Sequence, residues 1–228
     1  MNILIIGPTS AIGQSISSSF AKKNTLILVG RSKTKLEHLK KKLINKKAIK
    51  VKIVLYDLTE DSKVFFEKLN NIKVDLIINI ASATSSIYDN NIKIKKLDDN
   101  CNVDLINPLI ICKTLYEKNN YINIIYITSI LSKIQTPNRI VYSSFKSLQS
   151  KYLEALNCKL LTVIIGTEII KNSESKKSKK LAKKIKNAYM NNKKSIFFGL
   201  TGRLLWVLYY VNPLLVKLVI LIKRKLIN

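Results

Sequence analysis

The sequence predicts an α/β fold: a doubly wound parallel sheet with helices on both faces, followed by an apolar helical tail. Three observations lead there. Short apolar strand patterns alternate with helical patterns of ten or more residues as far as residue 165. A glycine-bearing turn follows the first strand directly and opens a helix. The chain has 228 residues, 47% of them hydrophobic, enough for one domain with a sizeable core and too apolar for disorder.

The elements follow in order. Residues 2–6 are a short apolar strand, and Gly7-Pro-Thr-Ser-Ala-Ile-Gly13 leads into a helical stretch ending near residue 23. Residues 25–29 form a second strand, closed by Gly30-Arg31-Ser32, and residues 33–43 an amphipathic helix. A third strand over 51–56 ends at Asp57, and residues 61–70 are helical. Residues 74–80 are the fourth strand, and a long helical pattern runs over 98–118 through Asn102 and Pro108. Residues 122–128 are the fifth strand, 141–156 a helix and 160–165 the sixth strand. Residues 171–194, rich in Lys, Ser and Asn, read as a polar loop and then a helix with apolar points at Leu181, Ile185, Ala188 and Tyr189. Residues 196–222 are strongly apolar, interrupted by Arg203, Pro213 and Lys217. The expected organisation is a domain over 1–195 and a tail over 196–228, with no internal repeat.

Composition narrows the chemistry. Cys101, Cys112 and Cys158 show no pair spacing and have no neighbouring histidine, so neither a disulfide frame nor a zinc site is expected. His38 is the only histidine, which excludes a His-based triad and a multi-histidine metal site. A strand that starts at the second or third residue leaves no room for a signal peptide, so a cytoplasmic protein is expected. The formal charge of +26 suits nucleic acid or an anionic membrane surface, and equally a composition biased toward Lys, Ile and Asn. Basic clusters interleaved with aromatics are not evident, so nucleic acid is not an expected partner.

The turn after the first strand has small residues at Gly7, Ala11 and Gly13. They let backbone approach a pyrophosphate, while the helix N-terminus supplies free N–H groups and positive dipole. An ordinary tight turn is the plainer alternative. Arg31 closes the second strand, where an acidic residue would bind the ribose hydroxyls of NAD and an arginine suits a 2′-phosphate. NADP(H) is therefore favoured over NAD(H), although a solvated arginine fits the same position. Asp57 suits an adenine amine or a cap.

Ser129 ends the fifth strand, and Tyr142-Ser-Ser-Phe-Lys146 opens the helix beyond it. At helical spacing Tyr142 and Lys146 share one face. A phenol titrates near ~10, too high to release its proton readily at neutral pH, and a neighbouring ammonium favours phenolate. A strand-end serine can hold the substrate oxygen that the phenol protonates. Taken alone, the pair also fits a buried tyrosine beside a solvated lysine.

Taken together, Gly7–Gly13, Asp57-Leu58, Asn79-Ile-Ala-Ser82, Asn102, Ser129 and Tyr142–Lys146 resemble the short-chain dehydrogenase/reductase family in order and spacing, over residues 2–170. The resemblance implies a Rossmann-like fold and the oxidoreductase chemistry of a carbonyl and a secondary alcohol. It implies catalytic roles for Asn102, Ser129, Tyr142 and Lys146. Tyr142 would be the general acid in reduction, Lys146 would lower its pKa and bind the nicotinamide ribose, Ser129 would polarise the carbonyl, and Asn102 would hold the water that links Lys146 to solvent. Gly7, Thr9, Ser10, Ile12, Gly13, Arg31, Asp57, Leu58, Asn79 and Ala81 would join Tyr142 and Lys146 around the cofactor. Several positions depart from the family pattern. Ala11 replaces a glycine, Ile6 a frequent threonine, and Ile80 and Ser82 alter the usual Asn-Asn-Ala-Gly. Of the family's Pro-Gly-x-x-x-Thr segment, residues 165–170 keep only the glycine.

The phosphate loop also resembles that of reductases acting on polyprenyl-phosphate-linked keto-sugars, which end in an apolar, basic tail. A lipid-linked or other small ketone is therefore the expected substrate, with a 3-oxoacyl or other lipid ketone reductase as the alternative enzyme. A dinucleotide-binding protein without turnover is the alternative outside catalysis. In the tail, residues 204–216 carry no charge, and Asn212-Pro213 looks like a helix start, which favours two short helices over one span. Trp206, Tyr209 and Tyr210 suit a headgroup layer, and Lys223, Arg224 and Lys225 suit anionic lipid. The expected partner is the cytosolic face of a membrane, contacted peripherally. Packing on the core, and a homo-oligomer interface, are the competing uses of the same residues.

Overall fold

Seven strands pair in parallel in the computed structural model, which describes residues 1–70, 72–83, 94–134, 139–166 and 174–212. They are β1 (Asn2–Ile6), β2 (Thr25–Gly30), β3 (Lys50–Leu55), β4 (Leu76–Asn79), β5 (Asn123–Ser129), β6 (Lys159–Ile165) and β7 (Ser195–Phe198), in the order β3-β2-β1-β4-β5-β6-β7. Helices α1 (Ala11–Phe20), α2 (Lys33–Asn45) and α7 (Lys176–Met190) cover one face. Helices α3 (Ser62–Leu69), α5 (Asn107–Lys118) and α6 (Ile140–Ala155) cover the other. Helix α4 (Ile94–Cys101) precedes α5, and α8 (Leu200–Val211) follows β7.

Side-chain alternation along each strand builds the two layers. Ile3, Ile5, Leu26, Leu28, Ile78 and Ile125 bury against α1, α2 and α7. Leu4, Ile6, Ile27, Val29, Ile77, Ile124 and Tyr126 bury against α3, α5 and α6. With both faces covered, the central strands read as nearly continuous apolar runs. At the β3 edge, Lys50 and Lys52 discourage pairing with another chain.

Strand β1 bonds to β2 on one side and β4 on the other, so the winding direction reverses between β1 and β4. In open sheets of this kind ligands bind outside the carboxyl ends of the strands at that switch point. Gly7 leaves β1 there, and Asn79, Ile80 and Ala81 leave β4 beside it.

Three details differ from the sequence expectation. The helical pattern over 98–118 is two helices joined by a π turn at Asn102–Ile106, closed by the Asn107 N–H on the Asn102 carbonyl. Pro108 sits in the first turn of α5, where its missing N–H costs nothing, so a new helix starts there. Residues 195–198 are not tail. They pair with β6 from Thr162↔Ser195 to Ile165↔Phe198, and Ile196 and Phe198 bury in the layer of α7. The sheet therefore crosses the expected boundary at 195, and the tail begins at Gly199. Helix α8 carries Trp206 and Tyr209 against Ile130, Ile134 and Ile164, so one face of the tail does cover the domain. Leu204, Val207, Tyr210 and Val211 are exposed on the same helix. Among the described residues no helix is long and apolar enough to cross a membrane. The helix start expected at Pro213, the basic cluster Lys223, Arg224 and Lys225, and the Thr167–Ile170 part of the departure after β6 lie outside the described residues.

Candidate active site

The turn after β1 is built for close backbone approach. Gly7 has φ +80°, a left-handed conformation that side chains disfavour. A Cβ on Gly13 would lie 2.4 Å from the Gly7 carbonyl oxygen and 2.8 Å from the Pro8 Cα, so only glycine fits. Ser10 caps α1 by accepting the Gly13 N–H at 3.0 Å, which leaves earlier N–H groups of the first turn for a ligand. Thr9 is held by its carbonyl, which accepts from Gln14 at 3.0 Å, and Ile12 packs on the core beneath the turn. This cradle fits a pyrophosphate. Asn79 supports it from β4. Its Oδ1 accepts the Ala81 N–H at 3.2 Å, while its buried Nδ2 has hydrogen-bonding capacity left over.

Arg31 and Asp57 meet at 3.6 Å beyond β2 and β3, with Arg31 79% exposed. Asp57 also accepts the Thr59 N–H at 3.1 Å, so its capping use is real. Leu58 is buried, and its carbonyl accepts from the Asn107 amide at 2.7 Å. The same amide donates to the Glu60 carbonyl at 2.9 Å. Asn107 thus ties the start of α5 to the loop after β3, a role the sequence reading did not assign.

The strand ends carry the remaining polar groups. Ser129 is the last residue of β5, half-buried, and its Oγ accepts the Leu131 N–H at 3.2 Å. That contact uses a lone pair and leaves the O–H to donate. Tyr142 lies half-buried in the first turn of α6. Lys146, one turn on, is buried, and its Nζ lies 6.0 Å from the centre of the Tyr142 ring. The same Nζ donates to the Ala81 carbonyl at 3.2 Å. Ala81 in turn is the backbone that a Cβ on Gly7 would strike at 3.0 Å. Lys146 and the glycine turn therefore meet through Ala81, at the carboxyl end of β4.

The side chain that meets Lys146 directly is Asp104, two residues beyond Asn102, with Oδ1 at 3.2 Å from Nζ and the two side chains 1% and 2% exposed. Its Oδ2 accepts the Ala83 N–H at 3.1 Å. Asp104 lies within the π turn and is buried there. The signal available in the sequence is an acid between Val103 and Leu105 in an apolar stretch. Tyr126 was also missed. Its ring lies 5.7 Å from the Lys146 Nζ, and its O–H donates to the backbone carbonyl of Lys146 at 3.5 Å. Burial pushes its phenol up, so it stays protonated, and its enclosure separates it from any ligand. Burial pushes the Lys146 ammonium down, but the neighbouring Tyr126, Asp104 and Tyr142 outweigh it and the net direction is up.

A sequence model of the short chain dehydrogenase family matches residues 1–193. The chain belongs to that family. It is an NAD(P)-dependent oxidoreductase, and its substrate is a small molecule. Among solved structures it is similar to a short-chain dehydrogenase from Sphingobium yanoikuyae in complex with NADPH. That match has a TM-score of 0.76 at 16% identity and covers 87% of this chain and 88% of the other. It is equally similar to the bulky-bulky ketone specific alcohol dehydrogenase from Comamonas testosteroni, with a TM-score of 0.76 at 15% identity, covering 94% and 93%. A stretch of 78 residues is 36% identical to a very-long-chain 3-oxoacyl-CoA reductase of Candida glabrata. That stretch is 34% of this chain and 22% of the yeast protein.

Proposed function

We propose that this protein is an NADP(H)-dependent carbonyl reductase in which Tyr142 is the general acid. The observation that carries the reading is the contact series from Gly7 through Ala81 to Lys146 and the Tyr142 ring. Gly7, Thr9, Ser10, Ile12 and Gly13 hold the pyrophosphate, Asn79 and Ala81 border the ribose, and Asp57 and Leu58 border the adenine. Arg31 faces the 2′-phosphate. Its exposure and single long contact with Asp57 leave it available, which supports NADP(H) over NAD(H).

The bound nicotinamide supplies a hydride to the carbonyl carbon. Ser129 donates its O–H to the carbonyl oxygen and orients it. Tyr142 gives that oxygen its proton, so that the ketone becomes a secondary alcohol, and in the reverse direction the phenolate takes the proton back. Lys146 favours the phenolate so formed, and binds the ribose.

Tyr142→Phe tests the assignment. NADPH binding, followed by fluorescence, is expected to stay within about twofold. Turnover is expected to fall by at least about 10²-fold, the scale of general acid catalysis. Retained turnover refutes the role of Tyr142. The substrate reading is a lipid-linked keto-sugar of envelope polysaccharide synthesis, supported by the phosphate loop and by the exposed apolar face of α8. The yeast similarity favours a second reading, reduction of a 3-oxoacyl thioester. NADPH oxidation with membrane lipid extracts and with 3-oxoacyl-CoA, each beside the Tyr142→Phe control, separates the two.

The exposed residues of α8 support peripheral attachment to a membrane. Leu204→Glu with Val211→Glu leaves the inward Trp206 and Tyr209 intact. The double variant is expected to lose sedimentation with anionic vesicles at unchanged thermal stability. Unchanged sedimentation rejects attachment through this face, and a fall in oligomer size assigns the face to a second copy.

A further inference from the structure

We propose that Asp104 is the positioning residue of this site: its carboxylate keeps the buried Lys146 ammonium charged and aimed at Tyr142 and the Ala81 carbonyl. The inference rests on the reading of Tyr142 and Lys146 given above and adds a partner which that reading did not contain.

The argument starts from burial. A lysine 1% exposed has lost nearly all its water, and an ammonium in that position tends to shed its proton. A neutral Lys146 would leave the proposed site without its cation. The elements packed around Nζ differ in the counter-charge they offer. The end of β4 offers backbone only, the Ala81 carbonyl at 3.2 Å. Strand β5 offers Tyr126 and helix α6 offers Tyr142, both through ring faces near 6 Å. The π turn offers Asp104, the only carboxylate in an ion pair with Lys146 among the described residues.

Asp104 is itself fixed from two sides. The Ala83 N–H holds Oδ2 while Oδ1 faces Nζ, so the carboxylate has little freedom to turn away. Ala81 and Ala83 flank the same segment after β4. Asp104 and Lys146 therefore clamp it from opposite partners, and the clamp sits against Gly7. Asn102 opens the same π turn, and among the described residues the ion pair with Lys146 is made by Asp104.

The test reads the protonation of Lys146 directly, in the ligand-free full chain. Lysine labelled with ¹³C at Cε is titrated by NMR, and Lys146→Met assigns the resonance. In the parent, the Lys146 signal is expected to remain that of an ammonium up to about pH 10. In Asp104→Asn, which keeps the shape and removes the charge, the midpoint is expected at least about one pH unit lower. In Asp104→Glu the charge is kept and the parental titration is expected to return. An unchanged midpoint in Asp104→Asn overturns the proposal. If that variant does not fold, the parent alone decides, because a parental Lys146 that titrates near neutrality also overturns it. Neither readout depends on turnover, so failure of the Tyr142 assignment and failure of this inference remain distinguishable.

Discussion

Arg31 and Asp57 meet at 3.6 Å beyond β2 and β3, with Arg31 79% exposed and Asp57 26% exposed. Lys146 and Asp104 meet at 3.2 Å beyond β4 and β5, exposed by 2% and 1%. The first pair keeps its water on one side and is worth little to stability, since exposed pairs contribute about 0–1 kcal/mol. In the proposed reading, Arg31 would exchange this carboxylate for the phosphate of a ligand. The second pair has lost its water. Removing either partner strands a buried charge, so its geometry is set by folding rather than by the ligand. The difference leaves an exposed, adaptable pair beyond β2 and β3 and a buried, fixed pair beyond β4 and β5.

The largest expected effect breaks the buried pair. Asp104→Ala or Lys146→Met alone is expected to cost about 3–5 kcal/mol in urea unfolding, and combining them to restore most of it, because a neutral pair strands no charge. Additive losses in the double variant would show that the pair is not what fails. Next comes the glycine turn. Gly13→Ala forces a methyl onto the Gly7 carbonyl and is expected to cost about 1–3 kcal/mol, with NADPH affinity down more than about tenfold. Normal affinity in that variant would remove the turn from the cofactor site.

Arg31→Ala sharpens the contrast from the exposed side. Its expected effect on stability is below about 0.5 kcal/mol. The preference for NADPH over NADH is expected to fall about tenfold, the scale of one lost charged contact. A stability loss matching that of Asp104→Ala would erase the distinction between the two pairs.

The smallest expected effect lies away from the cleft, at Glu174. Burial pushes its carboxyl up, but the hydrogen bond and charge of Lys42, with the Ser15 hydroxyl, outweigh it and the net direction is down from 4.5. A carboxyl held down in the fold contributes stability above its unfolded value, and the contribution is lost as pH falls through the lowered one. The melting-temperature gap between the parent and Glu174→Gln is therefore expected to be full at neutral pH and to close below about pH 4. A gap that grows in acid would contradict the sign.

Most of the fold was legible because its signals are local. Strands covered on both faces are nearly continuous apolar runs, as in residues 3–6 and 124–127, and Gly7 and Gly13 mark a turn whose backbone tolerates no side chain. Tyr142 and Lys146 were legible because four residues make one helical turn. Strand β7 was not, because its four residues merge into the apolar run of α8 and only pairing with β6 separates them. Asp104 was not, because its partner Lys146 lies far along the chain and only packing brings the two together.

The sequence by itself determined the order of strands and helices, the glycine turn and the tyrosine–lysine spacing, since each depends on neighbours along the chain. Only the tertiary structure decided that Asp104 meets Lys146, that Tyr126 is shut away while Tyr142 is half-buried, and that the sheet ends at Phe198. Those outcomes depend on which distant segments exclude water from one another, and burial of that kind appears only when the elements pack.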